Sequence, residues 1–356
     1  MRRELEYELE GAPPAGDKRL VYHPRFGYGW LMRKETAPAE AEMEAYGGTG
    51  RRGSGEFEIL GTDDRQLVTD TTAIPFRFVC CLDLLFAHPT DATRTFLLRG
   101  SGTLISNRHV LTAAHNVLNS LARLGFPDVR ARPARIFAAP GRNGRLLPFG
   151  RSDATIMRVT PQWEAAPDSQ FDFALLTLRD DLGAANQTAL GNRPLGFWSH
   201  PQRGSGTRIR PLEIRVLRGQ PVNLSGYPSD KCLDQPPDRP ATQAEIRACT
   251  GTVPGLPELT DLGSTQWRAF GNVRDPAPAT EPRSITYDLD AATGHSGGPV
   301  WLRWQEFRNL VAVNTGGFPR PTAPFDIIAN MGVRITNAVL TQIGEWMRAD
   351  GVRPTF

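Results

Sequence analysis

Thr293-Gly294-His295-Ser296-Gly297-Gly298-Pro299 sets a serine in a run of glycines, and its reading decides the fold. A serine hydroxyl is a poor nucleophile at neutral pH. It becomes a good one when an imidazole takes its proton and backbone N–H groups hold the developing oxyanion. Glycines beside Ser296 let the backbone turn sharply and come close to a substrate carbonyl. The run Gly294 to Gly298 also satisfies the strand–turn–helix elbow of α/β-hydrolases, in which the catalytic histidine follows the serine. The six histidines are His23, His88, His109, His115, His200 and His295, all before Ser296, so chain order excludes that arrangement.

Working outward, His115 closes Leu111-Thr112-Ala113-Ala114-His115, and Asp172 opens the apolar run Phe173-Ala174-Leu175-Leu176-Thr177-Leu178. A carboxylate at such a place can fix an imidazole tautomer and stabilise the imidazolium. Taken singly, an aspartate before an apolar run is a strand cap and a histidine is a core or surface residue. Taken together, the order His, Asp, Ser is the chymotrypsin order, so His115, Asp172 and Ser296 read as a catalytic triad. The N–H groups of Gly294 and Ser296 would form the oxyanion hole.

Further segments carry a family resemblance. They include Gly61-Thr62-Asp63-Asp64-Arg65, Thr69-Asp70-Thr71-Thr72, Pro140-Gly141-Arg142-Asn143-Gly144, Ser225-Gly226-Tyr227-Pro228, Thr265-Gln266-Trp267, Tyr287-Asp288-Leu289-Asp290, Ala312-Val313-Asn314-Thr315-Gly316-Gly317 and Arg334-Ile335-Thr336. With the serine motif they are collinear, and from about Glu58 onward the chain resembles the bacterial glutamyl endopeptidases, the V8-like branch of the trypsin-like serine proteases. The resemblance implies a mainly β fold of two antiparallel six-stranded β-barrels, with the triad in the cleft between them and a C-terminal helix behind. It divides the chain into a head (1–57), a first barrel (58–200), a second barrel (201–335) and a helix with a tail (336–356). The implied activity is that of a serine endopeptidase working through an acyl-enzyme on protein or peptide substrates, without cofactor or metal. The competing reading is a non-catalytic binding protein on a protease fold; such proteins lose a triad residue, and none is missing here.

The resemblance also implies a substrate-binding set: Ala291, Thr293, Asn314, Thr315, Gly316 and Gly317. In glutamyl endopeptidases a histidine on the strand beside the pocket and a threonine upstream of the serine help bind the P1 carboxylate. The matching positions here are Asn314 and Ala291. Hydrogen bonds to charged groups contribute about 1.5–3 kcal/mol each, so a strict Glu preference is expected to weaken. Thr315 matches a serine that lies near the triad aspartate, so its hydroxyl either bonds Asp172 or is that of an ordinary strand threonine. Gly316 and Gly317 would leave room for a substrate backbone to pair as a strand. His295 stands where trypsin has an aspartate that pairs with the newly cut N-terminus. It reads as a solvent-facing neighbour of the nucleophile, and in V8-like relatives the new N-terminus, matching roughly Glu58, lies near the pocket instead.

Composition agrees with this architecture. The chain has 356 residues, 40% of them hydrophobic, enough for a large core, and its 35 glycines and 30 prolines suit a turn-rich β protein. Strands are expected at Ser101–Ile105, Asp172–Leu178, Val222–Ser225, Ser284–Leu289 and Leu310–Asn314. From Asn337 to Arg348, Val339, Leu340, Ile343, Trp346 and Met347 fall on one helical face, a core-packing stripe that Asp350-Gly351 would end.

Glu4 to Glu10 alternates acid with apolar and reads either as a strand or as a disordered acidic head, and Tyr46 to Gly55 is linker chemistry. The head is expected to be a removable propeptide or a targeting segment. Met1 to Trp30 lacks the apolar core of a signal peptide, although family members are typically secreted, so localisation stays open. No run approaches the ~18 apolar residues of a membrane span. The net charge of +3 is spread without a basic stripe, which gives no support to nucleic-acid binding, and the sequence carries no signal for oligomeric state. Cys232 and Cys249 can close a loop contributing about 3 kcal/mol if oxidised, whereas Cys80 and Cys81 read as buried thiols.

Overall fold

A computed structural model describes residues 5–8, 18–23, 27–33, 59–92, 94–120, 129–200, 206–232, 252–253, 256–260, 263–320 and 323–356. The linker at Tyr46–Gly55, Glu58 and Cys249 lie outside the described residues.

Apolar runs punctuated by glycine and proline make this chain a succession of strands. Three come from the head, β1 (Leu5–Glu8), β2 (Lys18–His23) and β3 (Gly27–Arg33), and β4 (Gln66–Leu67) follows. Next come β5 (Val79–Ala87), β6 (Arg94–Leu104) and β7 (His109–Thr112), then a short pair, β8 (Asn119–Ser120) with β9 (Arg130–Ala131). β10 (Pro133–Pro140), β11 (Ser152–Val159) and β12 (Ala174–Leu178) complete the first barrel. Its order is β6-β5-β10-β11-β12-β7, closed by pairing of β7 with β6 and antiparallel throughout.

A minor pair, β13 (Asn186–Gln187) with β14 (Arg193–Pro194), and β15 (Thr207–Ile209) lead into the second barrel. Its strands are β16 (Pro221–Gly226), β19 (Trp267–Asp275), β20 (Ser284–Tyr287), β21 (Pro299–Trp304), β22 (Phe307–Arg320) and β23 (Ala323–Arg334). A hairpin, β17 (Thr252–Val253) with β18 (Leu256–Thr260), lies between the first two of them. The ring runs β22-β21-β16-β19-β20-β23 and closes through β22 and β23. The fold is therefore two closed six-stranded antiparallel barrels. All five expected strand regions contain strands, although Asp172 itself ends a 3-10 turn just before β12.

Two segments join sheets that the chain order alone would not assign to them. β4 pairs with β19, so residues 66–67 belong to the second sheet although they precede the first barrel. The head adds strands to the first. β10 meets β11 at Asp153 and Ser152, and β1 continues that same edge with Leu5 opposite Val159 and Glu8 opposite Ile156. β3 pairs with residues 94–97 of β6, the edge that β7 occupies only at residues 102–104.

The barrel interiors are apolar. Leu82, Leu84, Phe86, Leu98, Val110, Ile136 and Leu176 fill the first, and Val222, Leu224, Ala269, Val273, Ile285, Leu289 and Val300 the second. The C-terminal helix, Asn337–Ala349, starts where Thr336 caps it through Oγ1 accepting from Val339 N–H (3.3 Å). Its stripe of Val339, Ile343, Trp346 and Met347 packs on Leu111, Phe173 and Leu175 of the first barrel and on Trp301, Leu310 and Val333 of the second. Each such side chain contributes about 1.5–3 kcal/mol by burial, so this helix seals both barrels. Among the described residues, shorter helices at Ala114–Val117, Pro161–Ala165 and Ile214–Leu217 lie in the connections. No described helix is long and apolar enough to cross a membrane.

Asp350, just past the helix, fastens it. One carboxylate oxygen contacts His109 Nε2 (2.9 Å), Arg158 Nη1 (2.8 Å) and Thr177 Oγ1 (2.6 Å), and the other accepts from Arg158 Nη2 (2.6 Å). These donors hold the Asp350 carboxyl well below the usual carboxylate range against the opposing effect of burial. Cys80 and Cys81 are buried free thiols as expected, and burial pushes both up. Cys232 is disulfide-bonded.

Candidate active site

His115 and Asp172 come from adjacent strands of the first barrel. β7 and β12 are paired with Thr112 opposite Ala174, so the residues leaving β7 and those entering β12 emerge at the same end. There β7 passes into the short helix carrying His115, and the 3-10 turn Ser169–Phe171 delivers Asp172. Asp172 Oδ2 lies 2.6 Å from His115 Nδ1, and its Oδ1 accepts the His115 backbone N–H at 2.8 Å. Both carboxylate oxygens thus engage one residue, which fixes the ring. The pair is buried, with His115 2% and Asp172 5% exposed.

Ser296 comes from the second barrel, in the loop between β20 and β21, and is tied back to the first. Its carbonyl accepts from Ser101 N–H (2.8 Å) and Asn116 Nδ2 (3.0 Å), and Ser101 Oγ donates to the Gly294 carbonyl (2.7 Å). Glycine is required beside it. Gly297 has φ +82°, and a Cβ there would lie 2.2 Å from the Ser101 carbonyl oxygen and 2.2 Å from Thr112 Oγ1. The Ser296 hydroxyl is buried and has no hydrogen-bond partner among the described residues, so its proton and lone pairs are uncommitted.

The two expected oxyanion donors are likewise available: the N–H groups of Gly294 and Ser296 make no hydrogen bond among the described residues. The Thr293 carbonyl accepts from both the N–H (2.8 Å) and the Oγ (2.9 Å) of Ser229. In a trans peptide the N–H points opposite to the C=O, so the Gly294 N–H is directed away from Ser229.

The other sequence-selected residues are placed as follows. Ala291 is 1% exposed and packs in the second-barrel core, and Asn314 is fully buried. Asn314 Oδ1 accepts from the Tyr287 hydroxyl (2.5 Å) and its Nδ2 donates to the His295 carbonyl (3.2 Å), so the amide braces the serine loop. Burial pushes the Tyr287 hydroxyl well up, which keeps it a donor. Thr293 is partly exposed, whereas Thr315, Gly316 and Gly317 are buried. Thr315 Oγ1 donates to the Met331 carbonyl (3.5 Å), the contact of an ordinary strand threonine, and not to Asp172, whose two oxygens contact His115.

His295 corrects an expectation. It is fully buried rather than solvent-facing, because the tight turn at Gly294 folds it inward over Gly226, where a Cβ would lie 2.9 Å from its ring. Nδ1 accepts from Ala292 N–H (3.1 Å), which puts the proton on Nε2, and Nε2 has no partner among the described residues. Burial, helped by the Arg65 charge, lowers it to about 3, so His295 is neutral at ordinary pH.

Two features went unread in the sequence. Asp290 accepts Leu60 N–H (2.7 Å) and Asp64 N–H (3.1 Å), pinning residues 60–64 to the start of the serine loop. Arg65, 2% exposed, is held by Asp63 and Asp230, and Lys231 Nζ contacts Asp63 Oδ2 (3.0 Å) while lying over the Trp267 ring. The Gly61–Arg65, Tyr287–Asp290 and Thr265–Trp267 runs were the signals for these contacts.

Comparison with known proteins fits this geometry. Residues 100–308 match the family model described as a trypsin-like peptidase domain. A glutamyl endopeptidase of Bacillus licheniformis is 23% identical over 293 residues, covering 81% of this chain and 68% of the relative. An extracellular metalloprotease of Bacillus subtilis is 22% identical over 331 residues, covering 88% and 82%. Among the described residues no group of three or more His, Cys, Asp or Glu side chains could hold a metal ion. A solved Glu endopeptidase structure in complex with MPD superposes with a TM-score of 0.54 at 20% identity, covering 82% of this chain and all of that one. With the family model spanning more than half of its length, the chain belongs to the trypsin-like peptidases and is a serine endopeptidase.

Proposed function

We propose that this endopeptidase works through His115, Asp172 and Ser296, with Gly294 and Ser296 N–H as the oxyanion hole. The observation that carries the reading is the double engagement of His115 by Asp172 at 2.6 and 2.8 Å, which presets one tautomer of a buried imidazole. His115 Nε2 takes the Ser296 proton as Oγ bonds to the scissile carbonyl carbon, and the former carbonyl oxygen receives the electron pair in the hole. His115⁺ then gives that proton to the leaving amine nitrogen as the C–N bond breaks. Water, deprotonated by His115, attacks the acyl-enzyme, and the proton returns to Ser296 Oγ as the acid product leaves. The substrate backbone adds as a strand beside Gly316 and Gly317 of β22, where pairing with β21 has ended at Val313.

P1 choice is read as relaxed relative to glutamyl endopeptidases. Ala291 offers no hydroxyl, and the Asn314 amide is neutral and engaged by Tyr287 and His295, so neither presents charge complementarity to a carboxylate. Labelling of the protein by a fluorophosphonate probe, lost in Ser296→Ala, tests the triad. No labelling of any processed form would favour a binding protein. Cleavage-site profiling on a peptide library tests specificity, and cutting after Glu alone would overturn the relaxed reading.

A further inference from the structure

We propose that Ser229 is a positioning residue for the oxyanion hole, a role that rests on the triad reading above. The Thr293–Gly294 peptide has two orientations. In one, the Gly294 N–H faces the reacting carbonyl; in the other, turned by half a rotation, the Thr293 carbonyl oxygen occupies that place and repels the oxyanion. Glycine at 294, with φ +96°, leaves such a peptide free to turn. Ser229 opposes the turn with two donors on one acceptor, its N–H at 2.8 Å and its hydroxyl at 2.9 Å from the Thr293 oxygen. The turned peptide would lose both bonds and would aim the Gly294 N–H at a donor.

Ser229 is itself fixed. A Cβ on Gly294 would lie 2.3 Å from the Tyr227 carbonyl oxygen and 2.8 Å from Ser229 N, so the two segments touch backbone to backbone. Tyr227 N–H donates to Ser101 Oγ (2.8 Å), and Tyr227 Oη donates to the Arg142 carbonyl (3.0 Å). On the far side Asp230 is gripped by both terminal nitrogens of buried Arg65, at 3.0 and 2.6 Å. The turn carrying Ser229 is therefore anchored to the first barrel at one end and to the 60–65 segment at the other. Neither Ser229 donor touches substrate. They act on the reaction through the Thr293–Gly294 peptide.

The test uses the full chain and a peptide substrate taken from its own cleavage profile. Ser229→Ala keeps the backbone donor and removes the hydroxyl, and is expected to lower kcat roughly five- to tenfold, the worth of about one neutral hydrogen bond, with KM nearly unchanged. A peptide aldehyde, whose hemiacetal oxygen sits in the hole, should lose affinity by the same factor. Ser229→Thr, which restores a hydroxyl, should recover both, and unfolding midpoints of the three proteins should agree. If Ser229→Ala holds kcat and aldehyde affinity within twofold of the parent, the proposal is overturned while the triad stands. If the parent itself takes no fluorophosphonate, the triad reading falls and this one falls with it.

Discussion

The two barrels contribute to the proposed site by different means. The first barrel supplies His115 and Asp172 from the ends of paired, buried strands, where regular hydrogen bonding already fixes the backbone. The second supplies Ser296 from a loop outside any strand, held by groups that reach it from elsewhere: Ser101, Asn116, Asn314 and Ser229. Damage to the strand scaffold should appear as lost stability, and loss of a side chain that steadies the serine loop as lost chemistry in a folded protein, whereas a catalytic side chain or a backbone clash departs from that division.

The largest effect expected is on chemistry. Ser296→Ala and Asp172→Asn should each lower kcat by about 10⁴-fold or more with the fold intact, measured by turnover and by unfolding midpoint. Gly297→Ala tests where the loop stops tolerating change. The added methyl meets the Ser101 carbonyl and Thr112 hydroxyl at 2.2 Å, so a loss of about 3–5 kcal/mol in urea unfolding is expected, and a smaller loss would show that the barrels can part locally.

Asp350→Asn probes the opposite side of the comparison. It removes the Asp350 charge from beside buried Arg158 and should cost about 3 kcal/mol of stability, while kcat per folded molecule stays within about twofold of the parent. A large kcat loss without destabilisation would erase the distinction between the barrels.

The effect with the smallest increment is a pH slope, read one pH unit at a time. Burial lowers His295 to about 3, so between pH ~6.5 and 3 the unfolded chain binds a proton that the folded chain refuses. Stability should therefore fall as pH drops through that window, by up to roughly 1.4 kcal/mol per pH unit from this residue, and His295→Gln should flatten the curve. Asp63 and Asp350, both held well below the usual carboxylate range, contribute stability that is present above about pH 3.8 and lost below it, and burial lowers His200 as well, so the difference in urea midpoint between the parent and His295→Gln from pH 4.5 to 6.5 isolates His295.

What was legible in the sequence follows from the same contrast. Chain order picked out His115, Asp172 and Ser296, and the 3.6-residue stripe Val339 to Met347 gave the terminal helix, because side-chain identity and spacing carry those signals. The direction of the Thr293 carbonyl is a property of a backbone bond and has no residue-type signature, so Ser229 was invisible. His295 was misread because a glycine turn has no period from which to tell inside from outside. The period-2 head did contain a strand at Leu5–Glu8, whereas the hairpin Lys18–Arg33 went unread and its partner on β6 is some 65 residues away in sequence.

That head has a consequence for how copies of this protein meet. A sheet edge with free N–H and C=O groups is a template for any extended chain, its own kind included. β1 and β3 occupy two such edges on the first barrel. Taking the head away would uncover the backbone N–H and C=O groups of residues 156–159 and 94–97 that β1 and β3 now pair.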